Sequence, residues 1–162
     1  MFSNCESLTS LTKRMNNMFS RCYNLSSIKI DNFNTINVIR MNNMFQECYQ
    51  LTSLNLKSFN TEKTEIIDEM FYQCLSLTSV DLSNFNTVNL TFLDRLFFGC
   101  EKLKYIDLSL FNDEKFEYYS DLFNNTIQTG EVTIRYNFNK MSLIKSQIPS
   151  EWNQINTFSE YK

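Results

Sequence analysis

The chain has 162 residues, 43% of them hydrophobic and 15% aromatic, and carries a formal charge of −3 with no histidine. It is too apolar for a disordered chain, and its scattered Lys and Arg form no basic stripe for nucleic acid. No apolar run is long enough for a membrane span, and without histidine there are no His-based triads, His metal sites or imidazole acid–base chemistry.

From the N-terminus the first signal is a beat. Met18-Phe19 with Cys22 returns as Met44-Phe45 with Cys48 and Met70-Phe71 with Cys74, every 26 residues. It continues as Leu96-Phe97 with Cys100 and as Leu122-Phe123 with Thr126 in the Cys place. A period of this length predicts a solenoid, because one coil cannot bury its apolar side alone while stacked coils share a core. The organisation read from it is one domain, 1–162: an irregular N-terminal coil over 1–22, regular repeats over 23–136 and a terminal cap over 137–162. Cys5 to Cys22 is 17 residues, short of the beat, which is why the first coil is expected to be irregular. The opening Met1-Phe2-Ser3-Asn4-Cys5 falls inside a repeat and lacks the basic start and apolar middle of a secretion signal. This points to a fragment of a longer gene, or to a product without an N-terminal cap and export signal.

Within each coil the next element after Cys is LxxLxL: Leu51, Leu54, Leu56; Leu77, Val80, Leu82; Leu103, Ile106, Leu108, with Leu25, Ile28, Ile30 before them. The last two positions alternate with Lys29, Asn55, Asp81 and Asp107, the period of a short strand buried on one side. Stacking makes these strands a parallel sheet, and Val132 and Ile134 continue it in the same register. The corner follows, with Phe33, Phe59, Phe85 and Phe111 as plugs and Asn34, Asn60, Asn86 and Asn112 expected to bond the backbone of neighbouring coils. Thr35, Thr61, Thr87 and then Asp113 are read as helix N-caps. Beyond them Val38, Met41, Met44, Phe45 and their equivalents fall on one face of a helix. Glu62, Lys63, Glu65, Asp68 and Glu69 are read as its solvated side. Strands stack about 4.8 Å apart and helices about 8–10 Å, so the expected fold is α/β: a curved solenoid with parallel strands on the concave face and short helices on the convex face.

At the C-terminus Asn137-Phe138-Asn139 slips out of register, and Ile148, Trp152, Ile155 and Phe158 recur at helical spacing after Pro149. A cap explains this segment best, with a Trp-centred partner site as the sharper alternative.

LxxLxL, a Phe-Asn-Thr corner and MFxxC together resemble the BspA-type leucine-rich-repeat surface proteins of bacteria and protists. The match runs from about Met15 to Leu108 and is clearest in Met44-Phe45-Gln46-Glu47-Cys48-Tyr49-Gln50-Leu51-Thr52-Ser53-Leu54-Asn55-Leu56. The resemblance implies a leucine-rich-repeat horseshoe, display at a cell surface, and binding of other proteins, in some members as adhesins. It brings no catalytic residues.

Chemistry-bearing residues are sparse. Cys22, Cys48, Cys74 and Cys100 share one structural column and read as core thiols; pairing them needs Cα atoms within about 6.8 Å, and no CxxC pattern points to metal. Asp81 and Asp107 should stand side by side. An open sheet, however, neither desolvates two acids for glycosidase work nor supplies the oxygens calcium needs. Neither a phosphate loop nor a zinc motif is present, and no cofactor is implied.

The face columns are read as Ser27, Ser53, Ser79, Tyr105, Glu131, then Lys29, Asn55, Asp81, Asp107, Thr133, then Asp31, Lys57, Ser83, Ser109, Arg135. The candidate ligand-binding residues are Asp81, Lys104, Tyr105, Asp107, Glu131 and Arg135, where an aromatic and an Arg lie together. The expected function is non-enzymatic binding of a protein or glycan on this face; the alternative is a spacer segment of a larger surface protein. A monomer is expected, with end-to-end association open to the uncapped N-terminus.

Overall fold

The computed structural model describes residues 13–126 and 132–157. One continuous core runs from Met15 to Trp152, made of the columns that the repeat sets up. Phe19, Phe45, Phe71, Phe97 and Phe123 lie ring over ring, with centroids 5.5, 6.0, 5.5 and 5.8 Å apart. Phe33, Phe59 and Phe85 stack as a second row at 6.5 Å. Each fully buried ring contributes about 2–3 kcal/mol of transfer free energy, and a 26-residue period delivers that contribution at the same place in every repeat.

The strands are β1 (Ser79–Asp81), β2 (Tyr105–Leu108), β3 (Thr133–Tyr136) and β4 (Asn153–Asn156). They form a four-stranded parallel sheet in chain order. Val80, Ile106 and Ile134 point inward, as the alternation predicts. The register changes twice: from β2 to β3 it lengthens, and from β3 to β4 it shortens to 20 residues, Thr133 standing beside Asn153. Ile106 stands beside Ile134, 28 residues on and not 26, so the repeat leading into β3 is two residues longer than the regular period. The segments around Ile28 and Leu54, expected as strands, are not strands; there the Thr52 N–H donates to Ser26 O at 3.4 Å, and Leu54 stays partly exposed.

The expected convex-face helices are absent. Among the described residues helical backbone is confined to a short 3-10 helix, Ile144–Gln147, and to Thr157. In residues 41–48 the N–H groups alternate in direction. Met44, Gln46 and Cys48 donate three residues back, to Met41, Asn43 and Phe45, while Met41, Asn43, Phe45 and Glu47 donate to Ile66, Asp68, Met70 and Tyr72 of the next repeat. An α-helix would turn every N–H back on its own chain. What prevents it is left-handed backbone at two columns: Asn17, Asn43, Glu69, Arg95 and Asp121, and then Arg21, Glu47, Gln73, Gly99 and Asn125. The result is a run of tight turns whose repeats are joined directly by backbone hydrogen bonds. With no helix layer, the steric reason for a splayed, curved stack is also missing.

The predicted burial survives this change of element: Val38, Met41, Met44 and Phe45, and Leu90, Leu93, Leu96 and Phe97, are all inside. Of the charged residues read as solvated, Glu62, Lys63 and Glu65 are exposed, but Asp68 and Glu69 are half-buried. Glu69 accepts from Asn43 and Gln46 of the preceding repeat and pairs with Arg95 of the next.

At the corners the expected roles of Asn and Thr are exchanged. Asn34, Asn60, Asn86 and Asn112 each accept the N–H two residues on, an Asx turn within their own repeat. The buried Thr35, Thr61 and Thr87 hydroxyls donate to Asn60, Asn86 and Asn112 carbonyls of the next repeat, and Thr35 and Thr87 accept the same residues' N–H in return. Asp113 does cap, but across a repeat: its carboxylate accepts the N–H of Leu143 and Ile144 at the start of the 3-10 helix.

The described part of the N-terminal coil is regular, with Met15, Asn17, Phe19 and Arg21 donating to Arg40, Asn42, Met44 and Gln46; the rest of that coil lies outside the described residues. In the C-terminal segment, read as a cap, Asn153–Asn156 form strand β4, although Ile148, Trp152 and Ile155 recur at helical spacing. Trp152 is only 4% exposed and meets Phe123 edge-on at 5.1 Å, so it closes the core and is no exposed anchor. Phe158 lies outside the described residues.

Candidate functional site

Strands β1, β2 and β3 set Asp81, Asp107 and Arg135 in one row on the outward face of the sheet. Asp107 is the hub. One of its oxygens accepts the Tyr105 hydroxyl at 3.1 Å and the Arg135 guanidinium at 3.2 Å; the other accepts the Ser109 N–H at 2.9 Å. Although it faces outward, Asp107 is only 4% exposed, because Tyr105 and Arg135 close over it. Tyr105 and Arg135 thus meet on the same Asp107 oxygen, so the three side chains form a triangle with Asp107 at its apex.

Beside them Asp81 accepts the Ser83 N–H at 2.9 Å. Burial acts to raise its carboxyl, but the Ser83 hydroxyl and N–H, with the charges of Lys57 and Arg135, hold it below the usual carboxylate range. Burial raises the Tyr105 phenol, with Asp107 alongside, so Tyr105 stays neutral. The face thus offers an ionised Asp81, a half-exposed phenol and a guanidinium already engaged by Asp107.

The longer repeat changes which residues meet. Tyr105 stands beside Thr133 and Asp107 beside Arg135, where uninterrupted spacing had paired them with Glu131 and Thr133. Lys104 is exposed just ahead of Tyr105. Glu131 lies outside the described residues. Sequence reasoning missed β4, which brings Asn153 to Thr133, with an amide-to-hydroxyl hydrogen bond of 3.3 Å, and places Ile155 beside Arg135. Val132 to Tyr136 alternates throughout, so alternation alone does not say which inward residue faces Ile106.

The family described as "Mycoplasma protein of unknown function, DUF285" matches residues 1–104 and again 77–157. The chain belongs to this family. That the family fits twice in overlapping stretches is the behaviour of a repeat. No curated protein and no solved structure matches the chain.

In this DUF285 chain the Cys column belongs to the core. The thiols of Cys48, Cys74 and Cys100 donate to the carbonyls of Phe19, Phe45 and Phe71, each at 3.1 Å and each in the preceding repeat. Burial pushes Cys48 and Cys100 up to about 12, and Cys74 in the same direction. Thr126 fills the next place and turns its hydroxyl to Phe123 O of its own repeat. Cys22, Cys48, Cys74 and Cys100 are all unpaired thiols. Among the described residues no His, Cys, Asp or Glu group gathers as metal ligands do, and no helix is long and apolar enough to cross a membrane.

Proposed function

We propose that this chain is a leucine-rich-repeat-type solenoid, without catalysis of its own, that binds a protein partner on its sheet face. The observation that carries the reading is the Tyr105–Asp107–Arg135 triangle. It holds an aromatic ring and a guanidinium in one geometry before any partner arrives, so little rotamer entropy remains to be lost on binding. Tyr and Arg are the types that anchor interfaces, and an ionised Asp81 next to them supplies an acceptor. Display at a cell surface belongs to the same proposal and rests on the resemblance to BspA-type proteins.

The test is capture of the chain by immobilised purified extracellular proteins, with glycans as a second panel. Native protein is expected to bind at least one protein, and Tyr105→Ala to lose about tenfold or more in affinity with an unchanged circular dichroism spectrum. Binding to glycans alone, or full retention by Tyr105→Ala and Lys104→Ala, overturns it. One observation favours a second reading, that of a spacer: the Arg135 charge is met within the chain by Asp107. A spacer captures nothing from either panel, whatever residue stands at 105.

A further inference from the structure

The turned side of the repeats carries a second ordered surface. Arg14, Arg40, Ile66, Phe92 and Tyr118 bridge one another in a single parallel column. Arg14, Arg40 and Tyr118 are exposed, and the rings of Phe92 and Tyr118 stack at 4.8 Å. Charge is segregated along this surface. Lys13, Arg14, Arg21 and Arg40 occupy its N-terminal half, where the Glu47 carboxylate is already engaged by Arg21. Glu65, Asp68, Glu69, Asp94, Glu117 and Asp121 occupy the remainder, with Arg95 among them.

The chain already contains one instance of what such a surface accepts. The Arg95 guanidinium lies over the Tyr72 ring, 5.8 Å from its centroid, while it pairs with Glu69. An arginine resting on an aromatic ring beside a carboxylate is a favourable arrangement, strongest where water is excluded.

We propose that two copies of this chain pair through their turned sides, antiparallel about a two-fold axis near Ile66. Reversing one copy sets its Lys13 and Arg14 against Glu117 and Tyr118 of the other, and its Arg40 against Phe92 and Asp94. A two-fold contact must be self-complementary, and a column that is cationic at one end and aromatic and acidic at the other meets that condition. The centre brings Glu65 and Asp68 toward their own copies, which opposes pairing and keeps the dimer reversible. This surface lies on the side of the repeat away from the Tyr105 triangle, so pairing leaves the sheet face free, and the inference is independent of the function proposed above.

Sedimentation velocity on the native chain at low salt, over a wide concentration range, should show a monomer converting to a dimer. The dimer should be lost at high salt, where exposed charges are screened. Two charge-reversed variants then locate the contact: Arg14→Glu with Arg40→Glu, and Glu117→Lys with Tyr118→Lys. All four positions are exposed, so both variants should keep the native circular dichroism spectrum. Each alone is expected to be monomeric, because like charges then face each other at both ends. Mixed, they should form a heterodimer. A native chain that stays monomeric, variants that still pair with themselves, or a mixture without heterodimer each overturn the proposal. A monomer that instead binds polylysine at low salt points to a basic partner and overturns it as well.

Discussion

The two long sides of the repeat are built to different tolerances. On the turned side the same hydrogen bonds recur at every step from Arg14 to Tyr118, with Phe19, Phe45, Phe71, Phe97 and Phe123 stacked behind them. On the sheet side strands exist only from Ser79 onward, and one repeat carries two extra residues. The register of the chain is therefore held by turns, and the sheet is free to vary in length and in what it displays. A candidate binding face on the tolerant side and an invariant ladder on the other is a division of labour that local sequence can maintain.

The strongest way to break this comparison is to remove a ring from the turned side. Phe71 is fully buried between Phe45 and Phe97, so Phe71→Ala should cost about 3–5 kcal/mol in urea unfolding. Leu54→Ala, at a partly buried sheet-side position, should cost about 1–2 kcal/mol. Equal losses would mean that the two sides carry equal weight.

A smaller effect is expected at the corner that joins them. Thr87→Val keeps the shape but deprives the Asn112 carbonyl and N–H of their shared hydroxyl, a loss of about 1–3 kcal/mol. A thermal midpoint indistinguishable from native would show that the Thr column only fills space.

Acidity sharpens the comparison further. Burial first, then the nearby Asp94 and Glu69 charges, push the half-buried Asp68 carboxyl from 3.8 up to about 6, against the opposing pull of the Asp94 N–H and of Arg95. The folded state therefore holds this proton more tightly than the unfolded state does. Its favourable contribution is present at low pH and is lost as pH climbs from 3.8 toward about 6. Asp68→Asn, which can still accept the Asp94 N–H, should stabilise the protein at neutral pH by about 1 kcal/mol after allowance for solvent screening. It should change little in more acid solution, as paired urea titrations at the two pH values would show.

The smallest effect concerns backbone hand. Gln73 has φ +54 and Gly99, one repeat on, has φ +72. Gln73→Gly should stabilise by about 0.5 kcal/mol, since relief of left-handed strain slightly exceeds the entropy glycine loses. Gly99→Ala should destabilise, because a Cβ there meets Gln73 Cγ at 3.1 Å. A Gln73→Gly variant less stable than native would count against the turn geometry itself.

Much of this architecture could be read in the residues. The columns that end up buried, the parallel strands at Val80 and Ile106, and the adjacency of Asp81 and Asp107 all followed from spacing. The element type on the turned side did not, because Met41, Met44, Phe45 and Cys48 show the burial order i, i+3, i+4, i+7 that a helix also produces. The signal against a helix lay in the outward residues: Asn17, Asn43, Asp121, Asn125 and Gly99 are types that tolerate left-handed backbone, standing where a helix prefers none. At the candidate site the triangle could not be anticipated, since it depends on two added residues that bring Arg135, and not Thr133, alongside Asp107.

The direction of the turned-side bonds has one more consequence. N–H groups of Met41, Asn43, Phe45 and Glu47 point toward the C-terminal neighbour and outnumber those of Ile39 and Arg40, which point back to Lys13, and the same holds at each later step. The forward excess leaves a net dipole along the stack, with the positive pole toward the C-terminus. Glu117 and Asp121 stand near that pole, and Lys13, Arg14 and Arg40 near the opposite one. Ionised side chains thus offset the field of the backbone, as they do at the two ends of a helix, and the molecule acquires an electrical axis from a ladder that contains no helix.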